Sequence, residues 1–163
     1  NSAGYKFHNW YGFGKVDAAE AVTTAASYTA NSRGAFVSPG YKSSGTISAT
    51  INDNGTGTTS SISITAPVGS NNYVEHVGVY VQFSHAVPKS VGLRLQSPDG
   101  TIVNIMQPMT NVGTNPSAVL FKIGVNSLYG ESMEGTWTIE VHDYIVDSTS
   151  GTLTQWGISI YGN

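Results

Sequence analysis

The sequence contains no cysteine, which excludes a disulfide framework and any thiolate metal centre. Charge is scarce too: Asp, Glu, Lys and Arg make up 10% of the 163 residues, against the usual quarter. The seven Lys and Arg are scattered and the formal net charge is −3. No phosphate-binding face is legible, which argues against nucleic acid as a partner. No apolar run approaches the ~18 residues of a membrane-spanning helix. An initiator Met and a signal peptide are both missing, and the abrupt start at Asn1-Ser2-Ala3-Gly4 is what a processed or excised piece would show, with its targeting segment upstream. Catalytic signatures are missing as well. There is no G-x-S-x-G elbow and no H-E-x-x-H. Of the four histidines, His76 and His142 fall on the polar phase of strand patterns, His85 follows the pattern over 73–83 and His8 lies in the aromatic N-terminal segment. No complete active site is expected in this chain.

In place of charge the chain has Ser, Thr, Asn and 19 Gly, a composition suited to strands and turns. Helical periodicity occurs once. Asp17 followed by Glu20 forms a variant capping box, and Ala18, Ala21, Val22 and Ala25 fall on one face; this predicts a helix over Ala18–Ser27. Its alanine-valine face buries little area and a helix of this length is marginal alone, so it needs a partner. Residues 29–41, with Gly34 and Pro39-Gly40 as breakers, read as a linker. Beyond it only period-two patterns appear: 46–51, 61–65, 73–83 with Val77, Val79, Val81 and Phe83 on one face, 91–95, 101–106, 118–123, and two in 130–161. In that last stretch Trp137, Ile139 and Val141 form one buried phase and Trp156, Ile158 and Ile160 another. Ser97-Pro98-Asp99-Gly100 is a tight turn. About eight short strands without intervening helices predict an all-β jelly roll or β-sandwich preceded by one short helix.

The acids suggest a cation site. Carboxylates in turns are what Ca²⁺ prefers. Asp143 with Asp147, in the loop between the last two strands, is the metal site expected here; Glu131 with Glu134 is another set. The two sets sit at opposite ends of a strand, ~20 Å apart, and cannot share one ion. Asp53, among Asn52, Asn54 and Gly55, ranks behind them because it lacks the spacing of an EF-hand loop. Asn54-Gly55-Thr56 is a glycosylation sequon, a pattern common by chance in an Asn/Thr-rich chain. Tyr5, Trp10 and Phe13 read as hydrophobic anchors rather than as a ligand platform.

Two parts of the chain resemble one family. Residues 7–26, through Tyr11, Gly12, Gly14, Val16, Asp17, Ala18, Ala21 and Val22, resemble the closing helix of a subtilisin-like catalytic domain. From about residue 43 the chain resembles the P domain of kexin-like proprotein convertases and their bacterial relatives, in Ser97-Pro98-Asp99-Gly100-Thr101, Gly130-Glu131, Gly135-x-Trp137, Val141-x-Asp143, Gly151-x-Leu153 and Trp156. The resemblance implies three parts: the end of a catalytic domain in 1–29, a linker in 30–42 and a P domain in 43–163. It implies a non-catalytic domain that stabilises an upstream subtilisin-like serine endopeptidase, whose triad would lie before Asn1 and whose substrates are proteins. The absence of cysteine and of an Arg-Gly-Asp-like stretch (His85-Ala86-Val87-Pro88-Lys89-Ser90 stands in its place) points to the bacterial, secreted type. An alternative is a module that holds the protease on insoluble protein or polysaccharide through an exposed row of Tyr41, Tyr73, Tyr80 and Tyr144.

Overall fold

In the computed structural model, residues 1–29, 32–111 and 120–163 are described. The helix α1 forms over Ala18–Ser27, where the Asp17 side chain accepts from the Glu20 amide at 3.0 Å as its N-cap. Its small apolar face, expected to be covered, has no buried residue. Nine strands follow among the described residues: β1 Tyr41–Ser43, β2 Ala49–Ile51, β3 Thr58–Ile64, β4 Val74–His85, β5 Val91–Gln96, β6 Ile102–Met106, β7 Phe121–Val125, β8 Gly135–Asp143 and β9 Gly151–Gly162. They make two antiparallel sheets. In one, β1 and β2 lie end to end along β9, followed by β4 and β7; the other has the order β3-β8-β5-β6. The chain is an all-β sandwich.

The buried phases are those the sequence pattern marks. Val77, Val79, Val81 and Phe83 from β4 meet Ile158, Ile160 and Trp156 from β9, and all are wholly buried. From the facing sheet come Leu95, Trp137, Ile139 and Val141. Both tryptophans satisfy their indole N–H, a requirement of burial: Trp137 donates to the Met133 carbonyl at 3.0 Å and Trp156 to Ser60 Oγ at 2.9 Å. The Ser97–Gly100 turn closes between β5 and β6, with Gly100 at φ +88° and its amide on the Ser97 carbonyl. Gly tolerates that left-handed φ without strain.

Two differences concern boundaries. The sandwich begins at Tyr41 rather than Ser43, because Tyr41 pairs with Ser159 and Lys42 with Ile158. The segment read as linker therefore supplies a ninth strand, and Val37 also bridges to Gly162. Its polar, glycine-broken composition hid a strand that is held by backbone bonds and exposed along its length. In the expected strand over 118–123, Ala118 and Val119 lie outside the described residues, and the strand runs on to Val125.

Candidate functional site

Two constellations stand apart from core packing. The first lies at one end of the sandwich, where the turn after β2, the end of β4 and the loop between β8 and β9 meet. Asp143 closes β8 and is fully buried. Its Oδ1 accepts from the Ile145 amide at 3.1 Å, and Oδ2 lies 3.1 Å from His85 Nε2. Asp147 is exposed; its Oδ1 accepts from the Thr149 amide and hydroxyl. The Thr149 hydroxyl holds this carboxyl below the usual aspartate range, with the Thr149 amide adding to the effect and desolvation opposing it. Asp53, from the turn after β2, accepts from the Asp147 amide at 2.9 Å and the Ser148 amide at 2.6 Å. Asp53, Asp143 and Asp147 each present a carboxylate oxygen within 4.8 Å of the others.

Three carboxylates this close repel one another. The backbone N–H groups they accept offset part of that repulsion. A donor set made only of carboxylate oxygens suits a hard divalent cation and not a soft one. The structure thus brings together the expected pair, Asp143 and Asp147, and adds Asp53, which sequence spacing ranked behind them. Its signal was present in the turn-forming run Asn52-Asp53-Asn54-Gly55. What spacing could not supply was the pairing of Ile51 with Gly151, which carries that turn to the far loop. His85 was missed for the same reason: 58 residues separate it from Asp143.

The other expected set, Glu131 with Glu134, is not brought together. Glu134 Oε2 accepts from the Ala66 amide at 3.0 Å. Glu131 is buried and serves a second constellation, the junction of the N-terminal segment with the sandwich. It accepts from Ser97 Oγ at 2.5 Å, Thr101 Oγ1 at 2.6 Å and the Ser2 amide at 2.9 Å. Charge-assisted bonds of this length are the strong ones. Asn1 Nδ2 adds bonds to the Ser127 and Tyr129 carbonyls. Edge-to-face contacts of Tyr5 and Phe13 with Tyr129 complete the seam. Tyr5 and Phe13 are anchors, as expected, whereas Trp10 is 85% exposed.

The four tyrosines of the alternative reading are not one row. Tyr41 and Tyr80 pack edge to face, 5.2 Å apart. Tyr144 packs near His142 and over Gly92 of the other sheet, and Tyr73 lies beside the N-terminal seam, lining a cavity with Tyr5 and Tyr129.

The chain is 29% identical over 167 residues to proprotein convertase subtilisin/kexin type 6 of Rattus norvegicus, covering 99% of this chain and 18% of that protein. With human proprotein convertase subtilisin/kexin type 5 it shares 27% over 183 residues, 99% of this chain and 9% of the relative. The chain therefore spans less than a fifth of these curated relatives. A serine protease of Aeromonas sobria, solved alone, superposes on the whole chain with a TM-score of 0.80 at 24% identity, and the chain covers 33% of it; that likeness shows the shared fold. No helix of the described residues is long and apolar enough to cross a membrane. The proprotein convertase P-domain family matches residues 74–160, more than half of the sequence, and this chain belongs to that family.

Proposed function

We propose that this chain is the accessory, non-catalytic part of a secreted subtilisin/kexin-like serine endopeptidase, and that it stabilises the catalytic domain by packing against it. The observation that carries this is the contrast within residues 1–29. Their start is tied into the sandwich through Ser2 and Glu131. Their helix leaves its Ala/Val face in water, with Val22 at 73% exposure, and Val16 just ahead of the N-cap is 82% exposed. A ten-residue helix with a bare apolar face lacks the packing that makes such a helix stable, and an apolar patch of this kind marks an interaction site. The rest of a subtilisin-like catalytic domain is the partner that the resemblance of 7–26 supplies. Secretion is the reading that the relatives' identity as proprotein convertases supports. The strand order supports reading the sandwich as a jelly roll: the chain changes sheet at every step from β2 onward except the β5–β6 hairpin.

We propose further that Asp53, Asp143 and Asp147 hold Ca²⁺, with carbonyls or water completing the shell. The ion would neutralise three converging carboxylates and pin two loops to the end of β8. The test of the main reading is deletion of the sandwich, residues 41–163, from the longer protease. Loss of folded, active enzyme, or a marked fall in its thermal midpoint, is expected. Full activity and an unchanged midpoint would overturn it.

A further inference from the structure

The turn that carries Asp53 also carries the only Asn-Gly step in the sequence, Asn54-Gly55. In such a step the backbone nitrogen of the glycine is a nucleophile placed next to the asparagine carboxamide, and no Cβ hinders the close approach. Three features of this turn favour the reaction. Asn54, Gly55 and Thr56 are all exposed to water. Gly55 sits at φ +73°, and among the described residues nothing accepts from its N–H. The Thr56 amide donates to Asn54 Oδ1 at 2.9 Å. That bond draws electron density from Cγ and would stabilise the oxyanion formed on attack.

We infer that Asn54 is a site of spontaneous deamidation in the folded protein. Gly55 N loses its proton and attacks Asn54 Cγ; the C–N bond to the side-chain nitrogen breaks and ammonia leaves, closing a succinimide. Water then opens the ring. Opening at the former side-chain carbonyl gives aspartate, and opening at the main-chain carbonyl gives isoaspartate. The net change is amide plus water to carboxylate plus ammonium, with no redox partner.

The position gives the change a consequence. Asp53 grips the Asp147 and Ser148 amides on one side of Asn54. On the other, His142 Nδ1 lies 3.3 Å from the Gly55 carbonyl. Isoaspartate would insert a methylene into the chain between these two anchors. Either product places a fourth negative charge next to the three-carboxylate cluster. The chemistry needs no bound cation, so it stands or falls apart from the calcium site.

The experiment is peptide mapping by mass spectrometry of the folded protein held in mildly alkaline buffer at physiological temperature. The peptide containing Asn54 is expected to convert faster than that of any other asparagine. It should gain the mass of one amide-to-acid exchange and resolve into aspartyl and isoaspartyl forms, with ammonia released in step. Asn54→Gln should abolish this conversion. Faster conversion at another asparagine would overturn the assignment. So would an Asn54 that persists in the folded protein while it converts in the urea-unfolded chain.

Discussion

His85 Nε2 lies 3.1 Å from Asp143 Oδ2, and neither side chain has any exposure to water. The Val87 amide donates to the other ring nitrogen, Nδ1, at 3.1 Å. Nδ1 therefore carries the lone pair and Nε2 the proton, so the ring donates to the carboxylate. β4 and β8 belong to opposite sheets, and this bond joins them at the acidic end of the sandwich. His85→Ala would leave a buried carboxylate with the Ile145 amide as its remaining donor. Leaving a buried acceptor short of one hydrogen-bond donor costs about 1–3 kcal/mol, and more where the acceptor is charged, and the urea midpoint should fall accordingly. His85→Gln keeps an N–H and should recover part of the loss. If His85→Ala unfolds at the parent midpoint, the bond has no structural weight.

Ca²⁺ binding to the folded state alone should raise the thermal midpoint. At a free concentration a hundredfold above Kd the gain is about 2.7 kcal/mol. Asp53→Asn should abolish most of that gain; in the metal-free protein it also lowers the midpoint modestly, since the Asp147 and Ser148 amides donate to different carboxylate oxygens and a carboxamide keeps an acceptor for one of them. Differential scanning calorimetry with Ca²⁺ and with chelator reads both effects. Equal midpoints in the parent protein would remove the site.

Asp147 gives a pH signature. Its carboxyl is held below the usual aspartate range, first by the Thr149 hydroxyl. A depressed folded-state pKa contributes stability at pH values above the unfolded pKa. That contribution is lost as pH falls through the folded value. The loop should therefore loosen only in acid, below the ordinary aspartate range. Thr149→Val removes the hydroxyl and should move the carboxyl upward. Carboxyl chemical shifts followed by NMR titration in metal-free buffer would show it, and identical titrations in parent and variant would refute the role of Thr149.

Glu131 ties together three segments that are far apart in the sequence. Ser97 and Thr101 bracket the turn after β5, Gly130-Glu131 precedes β8, and the carboxylate ties both to Ser2. Glu131→Ala leaves the Ser97 and Thr101 hydroxyls without this acceptor and the Ser2 amide with Thr101 Oγ1 alone, at a cost of about 1–3 kcal/mol. Its distinctive effect is local: hydrogen exchange at the Ser2 amide should rise sharply while amides of β4 and β9 stay protected. A Ser2 amide that exchanges freely in the parent protein would refute the tie.

The legible part of this fold was whatever repeats locally. Period two located the core strands because one face is buried and the other wet; Asp17 and Glu20 located the helix because a cap is a contact between near neighbours. β1 was hidden, since Tyr41–Ser43 is exposed throughout and has no apolar alternation. The carboxylate cluster was half legible. Asp143 and Asp147 share one loop, but Asp53 reaches them only through β2 pairing with β9, and no local pattern encodes that pairing. Glu131 looked like a ligand because its hydroxyl partners are 30 and 34 residues away, and composition cannot distinguish a satisfied carboxylate from a free one.

The three tryptophans allow the docking proposal to be tested without mutating the interface. Trp137 and Trp156 are wholly buried, while Trp10 is 85% exposed in the aromatic segment ahead of α1. In the 163-residue chain, acrylamide should quench one accessible emission component, and Trp10→Phe should remove that component and leave the other two unquenched. In the longer protease, packing of the catalytic domain over residues 7–26 should shield Trp10, so the same titration should quench far less of the emission. A Trp10 equally accessible in both proteins would mean that this segment is bare in the assembled enzyme. The exposed face of α1 would then be no docking surface, and the stabilising role assigned to it would fail.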